Sequence, residues 1–147
     1  MDFYPPLLFA HILGATIWTG GHLVLALSVL PAALKTCDVA AIRAFEDAFE
    51  RVGLPALGVQ VVTGLWLAAR AAPPAFWADL DDPLGRTIGL KLVILGFTAM
   101  LAVHARLFII PKLDTAHLPQ LAWHIRGVTL LSVLFVAAGA SIRFGGL

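Results

Sequence analysis

The sequence predicts an all-α fold, a four-helix transmembrane bundle with a short amphipathic interfacial helix. Two observations carry the prediction. Of 147 residues, 60% are hydrophobic and 13% charged, against about 25% charged in an ordinary soluble domain. The apolar residues fall in four long stretches, each near the ~20 residues that cross a bilayer. Four such spans leave roughly sixty residues for connections, too few for a sizeable extramembrane domain. Ten Lys and Arg nearly balance nine Asp and Glu, with no basic run, so a nucleic-acid partner is excluded on electrostatic grounds. A single cysteine, Cys37, excludes an internal disulfide and a thiolate-based structural metal site.

The first span is expected over about residues 6–30, preceded by Pro5 and Pro6 and closed by Pro31. It lacks a basic leader and is longer than the apolar core of a signal peptide, so it is expected to be retained. Over Asp38–Arg51, Ile42, Phe45, Phe49 and Val52 recur at helical spacing opposite Arg43, Glu46, Asp47 and Glu50, the pattern of an amphipathic helix at a membrane surface. Gly53, Leu54 and Pro55 lead from it, through an expected kink, into the second span, about 52–69. The Pro- and Asp-rich stretch from Arg70 to Arg86 reads as an exposed loop, with Phe76 and Trp77 suited to an interfacial belt. The third span is expected over about 87–110, ended by Pro111, and the fourth over about 121–142, ended by Arg143 and Gly145-Gly146. The whole chain is one integral membrane domain in this reading, with the lipid bilayer as its principal partner. Gly14, Gly58, Gly64 and Gly96 permit close helix packing and a homodimer.

Five histidines in so apolar a chain are the main functional clue, because ionisable groups at membrane depth are costly. His11 and His22, eleven residues apart, share a helix face with Trp18 and lie roughly 16 Å apart along the axis. His22 follows Pro6 by sixteen residues and His104 follows Thr87 by seventeen, so two parallel spans carry imidazoles at matched depth. His124 enters the fourth span near the same end. Two imidazoles so placed suit the axial positions of one haem b iron, with His22 and His104 as metal ligands. His124 would be a third ligand or a partner for a propionate or a quinone, and Arg106 and Arg126 anchors at headgroups or counter-charges for propionates. The expected function is then electron transfer within the membrane, with quinone or porphyrinogen as partner. Copper is the alternative cargo, held by His22, His104 and His124. The only soft side chains to support it are Met1, Met100, one turn before His104, and Cys37. Lys91 lies level with His11, and the two are expected to form a second polar site near the opposite surface, in a catalytic role.

The run His11-Ile-Leu-Gly-Ala-Thr-Ile-Trp18-Thr-Gly20-Gly21, with Lys91-Leu92 and the stretch from His104-Ala-Arg106 to Pro111, resembles the copper-resistance protein D (CopD) family. That family is similar in turn to the HemJ-type protoporphyrinogen oxidases, four-span proteins that bind haem b. The resemblance implies that His11 and Lys91 are the shared first-helix histidine and third-helix lysine. His22, His104 and Trp123-His124 depart from both patterns and favour a haem-binding member.

The first and third connections and their flanks hold Lys35, Arg43, Arg51, Arg106, Lys112 and Arg126, against Arg70, Arg86, Lys91 and Arg143 on the other side. Positive residues favour the cytoplasm, which places both termini in the periplasm of a bacterial inner membrane. Reporters fused after Leu147 are expected to behave as periplasmic and those inserted within Asp38–Arg51 as cytoplasmic; the reverse pattern would invert the orientation.

Overall fold

The computed structural model describes residues 3–147; Met1, one of the soft side chains counted above, lies outside them. Four helices long and apolar enough to cross a membrane follow one another: α1 (Tyr4–Thr36), α2 (Val39–Ala71), α3 (Pro83–Lys112) and α4 (Leu118–Phe144). No strand occurs among the described residues. Pro5 and Pro6 occupy the first turn of α1, where a missing N–H costs nothing. Cys37 closes it in the left-handed conformation (φ 55°), and Asp38 opens α2 by accepting a 3.0 Å bond from the Ala41 N–H. Asp82 opens α3 in the same way, at 2.7 Å from the Gly85 N–H. The start of α3 falls one turn earlier than the apolar pattern suggests, because Pro83 is well suited to a first helical turn.

The amphipathic segment is helical, as expected, but it is not separate. Residues from Val39 run without interruption into the second span, and Pro55 sits inside that single helix. Likewise Pro31 does not end α1, which continues to Thr36. Before Pro31 the helix widens into a π turn over Leu25–Val29, with the Leu30 N–H bonded to the Leu25 carbonyl. The same happens before Pro111, where Ala105–Ile109 form a π turn and the Ile110 N–H reaches the Ala105 carbonyl. A proline ring clashes with the carbonyl four residues back, and a widened turn is one way to relieve that clash.

α1 packs most extensively against α2, and α3 against α4, while an α1–α4 contact joins the two pairs. α1 and α3, the two parallel helices that carry His22 and His104, are therefore diagonal, and α2 and α3 barely touch. At about 1.5 Å per residue, α1 and α2 are each near 50 Å long, well beyond a ~30 Å hydrocarbon core. The surplus lies at the end of the Cys37–Asp38 turn. There Leu30, Ile42, Ile109, Leu118 and Leu121 are fully buried, within one apolar cluster drawn from all four helices, and there the charged residues of α2 collect. The turn between α3 and α4 is held by Asp114, whose carboxylate accepts from the His117 ring and from the Ala116 and His117 amides. The hydrogen bond from the His117 side chain is the main cause of a carboxyl pKa below the usual range.

At the opposite end the tail returns to α3: the Leu147 N–H donates to Thr87 Oγ1 at 2.8 Å, and Arg86 Nε donates to the Leu147 carbonyl at 2.7 Å. Between α1 and α2 the approach is set by Gly14. A Cβ there would lie 2.8 Å from the Ala56 carbonyl oxygen, a backbone atom that cannot step aside, whereas one at Gly58 or Gly96 would meet nothing. Gly14→Ala is therefore expected to cost about 1–3 kcal/mol through overpacking, seen as a lower thermal unfolding midpoint in detergent. Gly58→Ala should leave the midpoint unchanged or slightly raised.

Candidate metal site

The three histidines proposed from the sequence for haem or copper fall at one end of the bundle. The Thr129 hydroxyl lies 3.2 Å from the His22 carbonyl oxygen, and Thr129 follows His124 by five residues, about 7.5 Å along a helix. His104 and His124 meet directly, with His104 Nδ1 2.9 Å from His124 Nε2 and the rings stacked at a 5.0 Å centroid distance. His22 and His104, the expected axial pair, are not brought together. His22 packs on Trp18 (4.4 Å) and meets Phe49 edge-on (5.5 Å, 84°), while His104 stands on the outer surface beside Phe108.

The hydrogen bonds assign the proton on each ring. His124 Nδ1 lies 3.0 Å from the Gln120 carbonyl, which can only accept, so Nδ1 carries the proton and Nε2 a lone pair. The bond to His104 then requires His104 Nδ1 to donate, which leaves His104 Nε2 bare. His22 Nδ1 donates to the Trp18 carbonyl at 2.9 Å, so its Nε2 is also free. Such carbonyl-fixed imidazoles are the usual arrangement behind a metal-ligating nitrogen. The alternative, a packing histidine bonded to its own helix, uses the same bond; what distinguishes this set is that two such rings, and the His104 ring that donates to one of them, gather at one end.

A cavity of about 290 Å³ is lined by two of them, His22 and His124. It is walled by all four helices, and its lining includes His22, Trp18, Phe49, Glu46 and Glu50 on one side and Arg106 and His124 on the other. His104 is not part of the lining. His104 thus stands at the surface against His124, and His124 and His22 both line the cavity. Among the described residues no three His, Cys, Asp or Glu side chains converge on one point. Arg106 closes the gap between α2 and α3 with a 2.9 Å ion pair to Glu50, and Arg126 lies over the Trp123 ring at 5.8 Å. A larger groove of about 350 Å³, between α1 and α2, is lined by apolar side chains and Arg51 and holds no imidazole.

Glu46, Phe49 and Glu50 were not foreseen as site residues, since the amphipathic pattern reads them as one surface helix. Their signal was the unbroken helical phase from Asp38 into the second span, which turns that helix's far end toward the cavity. The π turns were equally unforeseen. They begin three residues after His22 and one after His104, and such turns are frequent at functional sites.

His11 lies apart from this end. Its Nδ1 donates to the Gln60 carbonyl (2.9 Å) and to Thr63 Oγ1 (3.1 Å), and its ring occupies the space that a side chain at Gly64 would fill. Lys91 is the other group of that expected polar site. Its ammonium sits 4.8 Å from the Phe135 ring centroid and makes no ion pair with a carboxylate among the described residues. Gln60 Oε1, buried nearby in α2, has no hydrogen-bond partner.

The fold and these groups define an integral membrane protein with paired and cavity-lining imidazoles. The chain belongs to the copper resistance protein D family, whose sequence model matches residues 43–142. That span holds Lys91, His104 and His124 and omits the first-helix run with His11, Trp18 and His22 on which the resemblance partly rested. No curated protein and no solved structure matches the chain, and the expected kinship to protoporphyrinogen oxidases finds no support.

Gly21 separates the geometry of this site from the stability of the fold. A Cβ at Gly21 would overlap the Phe49 ring, a side chain that can swing away, while one at Gly20 would meet nothing. Gly21→Ala is expected to shift Phe49, loosen the seat of His22 and lower metal affinity about tenfold, the scale of lost support around a ligand. Gly20→Ala should bind as the parent does in the same metal titration.

Proposed function

We propose that this protein binds copper as cargo in the membrane and passes it along three imidazoles in series, His104, His124 and His22. The observation that carries this reading is the 2.9 Å His104–His124 pair beside the cavity lined by His22 and His124, in a chain of a family described by copper resistance. Imidazole suits copper, and the thioether of Met100, one turn before His104 and on the surface, adds the soft ligand that copper favours. A series of weak sites passes an ion on more readily than one closed shell retains it. Glu46 and Glu50 supply negative charge to the cavity, while the Glu50–Arg106 pair holds its wall together. With both termini in the periplasm, the imidazole end lies toward the cytoplasm of a bacterial inner membrane.

Haem b remains the second reading because one observation favours it: His22, whose Nδ1 is spent on the Trp18 carbonyl, lines a cavity that is mostly apolar. In that reading His22 and His104 ligate the iron, Arg106 and Arg126 balance the propionates, and His11 with Lys91 receives a quinone or porphyrinogen that exchanges electrons with the haem. It requires His104 to leave His124 and turn inward.

One preparation decides between them. Protein purified from cells supplied with iron and copper is expected to show no Soret band and to take up cuprous ion under anaerobic conditions. Alanine at His104 or His124 should reduce the bound copper strongly, and alanine at His11 should not. A Soret band lost in both His22→Ala and His104→Ala would establish the haem reading instead.

A further inference from the structure

We infer that the groove between α1 and α2 binds one anionic phospholipid, with an acyl chain lying along its apolar walls and the phosphate held by Arg51. The site is separate from the imidazoles and does not depend on the copper reading.

The groove has the length and the direction that a lipid needs. It holds about 350 Å³, and Arg51 is the one charged residue in its lining among the described residues. Its α2 wall runs from Arg51 through Pro55 to Val59, eight residues or about 12 Å along the helix. That is most of one leaflet, which contributes half of a ~30 Å hydrocarbon core. On the α1 wall Gly14 adds no side chain to fill the space. Leu13 (47% exposed) and Val59 (45%) stand at the rim, so the groove opens outward to the bilayer.

Arg51 stands at the headgroup end of this groove. Counting the ~20 residues of a span back from Ala71 puts the edge of the hydrocarbon at Val52. The guanidinium is then at phosphate depth while the other lining residues of α2 descend into the apolar layer. Arg51 is exposed and makes no ion pair among the described residues; Glu50 is taken by Arg106, and Asp47, one turn back, leaves it unpaired. Arg43 on the same helix is occupied by the Leu113 carbonyl. A guanidinium offers a phosphate two parallel hydrogen bonds, and its alkyl stem can cover apolar surface while the charge reaches the interface. A zwitterionic headgroup carries its own cation beside the phosphate, so an unpaired arginine favours the anionic one. A chain seated between α1 and α2 also fastens the two helices together, and a ligand that binds only the folded state stabilises it.

The test uses the full chain, delipidated in a mild detergent and titrated with phosphatidylglycerol or phosphatidylcholine of identical acyl chains, read by native mass spectrometry and by the thermal unfolding midpoint. One phosphatidylglycerol per chain is expected, bound about tenfold more tightly than phosphatidylcholine and raising the midpoint. Arg51→Gln should bring the two lipids to equal affinity, whereas Lys112→Gln, at an exposed cation of the same end outside the groove, should keep the preference. Val59→Phe, which adds bulk at the rim, should weaken both lipids while leaving the chain helical and monodisperse in detergent. Equal affinity of the parent for the two lipids, or a preference that survives Arg51→Gln, overturns the site. So does a dimer that forms without lipid and is lost in Val59→Phe, because the groove would then belong to a second copy.

Discussion

The ion pair between Glu50 and Arg106 is the interaction on which the functional end of the bundle depends. α2 and α3 barely contact each other through their backbones, yet the cavity is walled by both. A charge-assisted contact between them spans that cavity, and the Arg43 guanidinium on α2 donates to the Leu113 carbonyl at 2.9 Å. An exposed ion pair contributes little to stability, on the order of 1 kcal/mol or less. Its place is geometric, since it joins the helix that carries Glu46 and Phe49 to the helix that carries Arg106 across the cavity they line.

The same end of the molecule shows how one sequence meets two solvents. Within the hydrocarbon layer a helix can present apolar side chains outward at no cost, and many of the large apolar residues of α1 to α4 are exposed. Beyond it the chain must bury them, and the cluster built on Leu30, Ile42, Ile109, Leu118 and Leu121 does so. The histidines sit where these regimes meet, within a turn or so of Glu50, Arg106 and Arg126. A polar side chain there is less costly than at the membrane centre.

Much of the architecture was legible in the sequence, because apolar runs of span length and their proline or charged ends are strong signals. Composition could not show that Pro31 and Pro55 would be absorbed into continuous helices, since the outcome depends on packing and on whether a turn can widen. The separation of Asp38–Arg51 from the second span followed from a change in polarity that the backbone does not follow. At the site, helical spacing placed His22, His104 and His124 at one end, and the structure gathers them there. Which imidazole faces which could not be read from depth alone. Depth is set by residue number along each helix, whereas facing is set by the order in which the helices pack, and the diagonal placement of α1 and α3 turns His104 toward α4.

His11 and Lys91 show the same division. Their common level could be read from position along α1 and α3, but their surroundings could not. The two glycines nearest them, Gly64 beneath the His11 ring and Gly139 beside the Lys91 ammonium, make room for polar groups that the apolar pattern of the spans would otherwise exclude. Each lies on a helix other than the one that carries the group it accommodates, so neither is visible from local spacing. The cation of Lys91 faces an aromatic ring and Gln60 Oε1 lacks a partner, an arrangement that leaves hydrogen-bonding capacity unspent inside the bundle. Buried polar groups normally exhaust that capacity within the protein. Two separate polar levels in so small a bundle therefore differ in their surroundings: at one the His104–His124 pair reaches the outer surface, and at the other His11 and Lys91 are half-buried between helices.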